Sequence, residues 1–69
     1  MEELSIDKRD FEDILNNRTD LPINAEEWRE KFRAMIKAGD CIWLFEPDGA
    51  IRHMATLSAE GQLGSEPIA

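Results

Sequence analysis

Cys41 and His53 are the only cysteine and the only histidine in this chain of 69 residues. A thiol beside an imidazole can be activated as a nucleophile, the ring taking the proton and leaving a thiolate. Whether the two can meet depends on the stretch that joins them, Cys41-Ile42-Trp43-Leu44-Phe45-Glu46, then Pro47-Asp48-Gly49, then Ala50-Ile51-Arg52-His53. Pro at the second position of a type I turn, followed two residues later by Gly in the left-handed region, predicts a three-residue hairpin loop. Counting outward from it, Glu46 faces Ala50, Phe45 faces Ile51, Trp43 faces His53 and Cys41 faces Ala55. Thiol and imidazole then share one side of a two-stranded ribbon, offset by one cross-strand step. No oxyanion donor or pocket is signalled around them. A lone buried Cys behaves as a small apolar residue, and the His53 ring can pack on Trp43. The chain is therefore read as non-enzymatic, with no catalytic residue assigned. One Cys and one His are also too few for a zinc site, and neither metal nor cofactor is expected.

Charged side chains offer a different chemistry. Arg29, Arg33 and Lys37 recur at i, i+4 and i+8, down one flank of a predicted helix, and with Arg52 they form the candidate partner-binding set. The same helix carries Glu26, Glu27 and Glu30 against Arg29, Lys31, Arg33 and Lys37, a poor balance for a reader of duplex DNA. Asp10, Glu12 and Asp13 could imitate a row of phosphates, but Lys8, Arg9 and Arg18 interrupt the row. The whole chain holds 15 Asp and Glu against 8 Lys and Arg, a net charge of −7, whereas nonspecific nucleic-acid binding needs a cationic surface.

The elements that must position these residues follow from local signals. Asp7 is a candidate N-cap for a first helix over 7–17, with Phe11, Ile14 and Leu15 on one face, Ile6 placed to staple onto Phe11, and Asn16 and Asn17 as terminators. Leu21-Pro22 marks an extended link. Asn24 then caps a second helix, Glu27 completes a capping box, and Ile23 is placed to staple onto Trp28. Trp28, Phe32, Met35 and Ile36 form its apolar stripe, and Gly39 ends it. The hairpin follows, with the Trp43 and Phe45 side of the ribbon read as the one packed on the helices, Trp28 and Phe32 against Trp43 and Phe45. After Leu57, "SAEGQLGSEPIA" has no apolar period and reads as a flexible tail.

Five of the six residues Cys41 to Glu46 are apolar, so both faces of that strand require cover. Two short helices supply one cover only. A domain this small also returns little from its core, so a partner chain is expected on the other face. Ile42, Leu44 and Met54 are the residues assigned to self-association. The stretch "GDCIWLFEPDGAIRHM" resembles the opening hairpin of PAS sensor domains, where a strand, an Asp-Gly turn and a second strand begin the fold. The likeness spans about sixteen residues, and no activity or ligand is carried over from it.

Together these signals predict an α+β fold: a small single domain over 1–57, two short helices followed by a β-hairpin, dimeric, with 58–69 as tail. No run approaches the roughly 18 apolar residues of a membrane span, and no signal peptide is read at the start, so the expected location is the cytoplasm. The function expected is that of a small acidic regulator, bacterial or from a phage, that binds and inhibits another protein as a homodimer. The alternative is a DNA-linked role, as a phosphate mimic or as a weak winged-helix binder.

Overall fold

The computed structural model describes residues 2–18 and 24–68. The expected Leu21-Pro22 link and the Ile23–Trp28 staple lie outside them. The element order is β1 (Glu3–Asp7), α1 (Lys8–Leu15), α2 (Ala25–Lys37), β2 (Cys41–Phe45), β3 (Ile51–Leu57) and β4 (Leu63–Pro67). The strands make one mixed sheet in the order β1-β2-β3-β4, with β1 parallel to β2 and the other pairs antiparallel. The molecule is thus a small α+β fold. Two elements depart from expectation: a strand precedes the helices, and residues read as a tail form β4.

Both helices start and stop where local chemistry dictates. Asp7 ends β1 in an extended conformation and at once caps α1, its carboxylate accepting the Arg9 N–H at 2.8 Å. Asn17 closes α1 at φ 59. Asn24 Oδ1 accepts the Glu27 N–H at 3.2 Å to open α2. At its other end the Gly39 N–H donates to Ile36 and the Asp40 N–H to Met35, the paired bonds of a Schellman motif.

The first hairpin turn forms as its residues predict: Gly49 N–H donates to Glu46 O and Glu46 N–H to Ala50 O, each at 2.8 Å, with Gly49 at φ 87. The same bonds recur in the next turn, where Gly61 N–H donates to Ser58 O and Ser58 N–H to Gln62 O, each at 2.9 Å, with Gly61 at φ 81. This second turn folds residues 63–67 back onto β3.

Beyond the Glu46–Ala50 and Phe45–Ile51 pairs, the register differs from the count. Phe45 pairs with Ile51, but Leu44 pairs with His53 and Trp43 with Met54, so Arg52 is an extra residue in β3, a β-bulge. The inside and outside of the ribbon are also reversed. Ile42 and Leu44 are 1% and 0% exposed, in a core with Phe11, Ile14, Ala25, Phe32 and Ala55. Their side chains are consumed by their own domain and cannot serve the self-association assigned to them. The cause is β1, a strand of clean alternation: Leu4 lies beside Ile42 and Ile6 beside Leu44, whereas Glu3, Ser5 and Asp7 lie beside Cys41, Trp43 and Phe45. Burying the apolar side of β1 therefore turns Ile42 and Leu44 inward. Trp28 and Phe32 pack not on Trp43 and Phe45 but within the helix layer, Phe32 lying 5.3 Å from Phe11 and 5.7 Å from Trp28, ring centre to ring centre.

Candidate interaction surface

The sheet has one covered face and one open one. Leu4, Ile6, Leu15, Trp28, Met35, Ile36 and Leu63 all pack against the core from the helix side. Cys41, Trp43 and Phe45 alternate with Ile42 and Leu44 along β2 and so point away from it. Met54 stands opposite Trp43, and Ile51 opposite Phe45. No described element lies over them. Trp43, Phe45 and Met54 are half-buried by their neighbours in the sheet alone, while Ile51 is 46% and Ile68 39% exposed, the most exposed large apolar residues described. An apolar centre of this kind on the surface of a small domain is a candidate binding surface.

The residues singled out by charge do not gather into one site. Arg29 Nη1 donates to Ile14 O at 2.9 Å, adding to the long Asn17 N–H bond of 3.4 Å that this carbonyl accepts at the end of α1. Arg33 Nε donates to Gly61 O at 3.0 Å and its Nη1 meets Glu30 at 3.1 Å, tying α2 to the second hairpin turn. Lys37 is exposed in the last turn of α2. Arg52 pairs with Asp48 at 3.3 Å beside the first hairpin turn, at the opposite end of β3 from Gly61. The Ala50 N–H at 2.9 Å, and behind it Arg52, hold the Asp48 carboxyl below the usual carboxylate range. In the acidic row, Glu12 is engaged by Lys8 at 2.9 Å, and this partner raises the Lys8 ammonium above the usual lysine range.

The bulge also separates the two residues that could have done nucleophilic chemistry. Pairing with Leu44 puts His53 on the helix side of the sheet, while Cys41 lies on the open side. The imidazole instead sets its Nδ1 3.4 Å from Glu46 Oε1. Among the described residues no three His, Cys, Asp or Glu side chains converge on a point that could hold a metal, and no helix is long and apolar enough to cross a membrane. A shallow hollow on α2 is lined, among the described residues, by Glu27, Trp28 and Lys31, whose ammonium already rests 4.8 Å over the Trp28 ring.

Of the residues assigned to self-association, Met54 alone lies on the open face. Cys41, Trp43, Phe45 and Ile51 were missed as surface residues, although the alternation of Leu4 and Ile6 with Glu3, Ser5 and Asp7 carries the signal that places them there. Comparison of the chain with protein-family models, with curated proteins and with solved structures finds no match in any of the three.

Proposed function

We propose that the protein is a non-enzymatic binding module, a small regulator that acts on another protein chain through the open face of its sheet. The observation that supports this reading is the group Trp43, Phe45, Met54 and Ile51, set together by strand pairing with no described element over it. Aromatic side chains and Met are the residues enriched at the centres of protein interfaces. Nothing comparable favours the DNA-linked alternative, because Arg29 and Arg33 are engaged within the domain and Glu12 is paired with Lys8.

The test is capture of binding partners by the wild type and by Phe45→Ser and Met54→Ser, with fold checked by circular dichroism. Both variants should keep the fold and lose capture, while Lys37→Ala keeps both. Capture that survives both open-face changes overturns the reading. Tight, salt-sensitive duplex binding in a gel shift would also overturn it.

A further inference from the structure

We infer that the open face takes a single amphipathic helix of another protein, about three turns long, whose apolar stripe is flanked on both sides by Lys or Arg. The inference rests on the reading of that face as an interaction surface, and it adds the chemistry of the partner.

Charge is the first ground. Strand pairing sets Glu3 beside Cys41, Asp7 beside Phe45 and Glu66 beside Met54, so three carboxylates share the open face with its apolar residues. Asp7 also caps α1 through one carboxylate oxygen, which leaves the other for a partner. The ion pairs among the described residues leave all three carboxylates out: they join Lys8 to Glu12, Arg33 to Glu30, Arg52 to Asp48, and His53 to Glu46. Every Lys and Arg except Arg52 lies in α1 or α2 or just past the end of α1, in the layer behind the sheet. Arg52 is itself taken up by Asp48. The open face therefore combines an apolar centre with uncompensated negative charge. That charge repels nucleic acid, an anionic lipid surface and a second copy of the same face. A cationic partner is drawn to it, and the net charge of −7 on the whole chain adds to the pull at longer range.

Placement is the second ground, and it selects a helix. The apolar residues Trp43, Phe45, Met54 and Ile51 lie on the two inner strands, and the carboxylates lie on the two outer ones, β1 and β4. Three strand spacings separate those outer strands, about 14 Å. One helix with its side chains is roughly 10–12 Å across, so its flanks meet both acidic rows while its stripe covers the centre. The five residues of β2 run for about 17 Å, close to the roughly 16 Å of three helical turns. A strand added at either edge of the sheet would leave the centre bare.

The carboxylates also set a spacing for the partner. Glu3 and Asp7 stand about 13 Å apart along β1, a distance that a helix covers in about eight residues. Glu66 shares the row of Ser5, Trp43 and Met54, midway between the rows of Glu3 and Asp7. The fitting helix carries two basic residues about eight positions apart on one flank, and a third about halfway between them on the other.

The experiment uses two synthetic peptides of about 18 residues, with Leu at helical spacing. One has Lys on both flanks, and the other has Glu in place of each Lys. Titrated into the isotope-labelled whole chain, the Lys peptide should shift the amides of Trp43, Phe45 and Met54, and the Glu peptide should shift none. Glu3→Gln, Asp7→Asn and Glu66→Gln together should weaken the Lys peptide by about tenfold or more. Asp10→Asn, Asp13→Asn and Glu26→Gln remove the same charge from the helix layer and should weaken it less than about threefold. Circular dichroism follows the fold, and Asn at position 7 still caps α1. Absence of binding, shifts confined to the helices, or equal losses in the two triple variants overturn the inference, the last because net charge alone then draws the peptide. Capture of natural partners separates this failure from that of the functional reading. A partner lost by Phe45→Ser but kept by the open-face triple variant overturns the inference and leaves the functional reading standing. A partner kept by both overturns both. A partner lost by both and kept by the helix-layer triple variant supports the cationic helix.

Discussion

The two faces of β2 are built from the same kinds of residue, and they have opposite fates. Ile42 and Leu44 are sealed under two helices, while Cys41, Trp43 and Phe45, which include the larger and more apolar surfaces, stand on the side no described element covers. Ranked by area alone, the aromatics belong inside. Their neighbours decide otherwise. β1 is the one strand that alternates strictly between apolar and polar, and its parallel register fixes which residues of β2 go inward. In a thin sheet, burial is a property of the whole row of strands, and a two-faced strand takes its orientation from the least ambiguous member.

The comparison can be broken most forcefully at its aromatic residues. Phe32→Ala should cost about 3–5 kcal/mol, because Phe32 is fully buried on the covered side. Phe45→Ala, on the open side, should cost under about 1.5 kcal/mol when denatured with urea at concentrations too low for association. Equal losses would mean that the open face is packed after all. Within β1 the contrast should be smaller: Ile6→Ala is expected to lose about 2 kcal/mol and Ser5→Ala less than about 0.5 kcal/mol, by the same denaturation. A costly Ser5→Ala would reverse the faces.

Glycines sharpen the picture on β4. Gly61→Ala forces a side chain into the left-handed region at φ 81 and should destabilise by about 1 kcal/mol. Gly64→Ala should leave the fold unharmed, or stabilise it by about 0.5 kcal/mol. If Gly61→Ala is silent, the turn that brings β4 back is not formed. The smallest effect concerns pH. The Asp48 carboxyl titrates below its ordinary range because its ionised form is held by the Ala50 N–H and Arg52. A depressed carboxyl contributes stability that is present above the unfolded value and lost as pH falls through the folded one. Urea midpoints followed down the acid limb should therefore drop slightly less for Asp48→Asn than for wild type, and identical slopes would remove the turn from the account.

Much of this was legible in the sequence wherever the signal was local. Asp7 and Asn24 mark the helix starts because a capping side chain must sit beside the amides it satisfies. Gly39 and Gly49 mark a helix end and a turn because positive φ excludes most other residues. β1 was not legible. Five residues of alternation are too few to stand out, and their partner lies far along the chain. β4 was hidden by Gly64 and Pro67, poor strand residues that an edge tolerates, although Ser58-Ala59-Glu60-Gly61 repeats the spacing of Glu46-Pro47-Asp48-Gly49. The extra residue at Arg52 has no sequence signature, and it shifts every cross-strand neighbour beyond the Phe45–Ile51 pair. Arg29 and Arg33 looked free because the carbonyls they bind, on Ile14 and Gly61, become neighbours only on folding.

The parallel pairing of β1 with β2 has a consequence for the order in which the chain can assemble. Glu2 N–H reaches Asp40 Oδ1 across 38 positions, while the two hairpins close over a few residues each. Closing the larger loop costs more chain entropy before any contact rewards it, so the meander β2–β4 should form first and β1 should dock last. On a ribosome, the first of these strands to be made is thus the last to be placed. Pulse-labelling by hydrogen exchange should find the β3–β4 amides protected before those of Leu4 and Ile6, and protection in the reverse order would exclude this route. Until β1 arrives, β2 exposes a bare edge beside the meander. The interval before docking is therefore when a second chain could lend its own β1, and domain swapping is the misassembly to which this topology is most exposed.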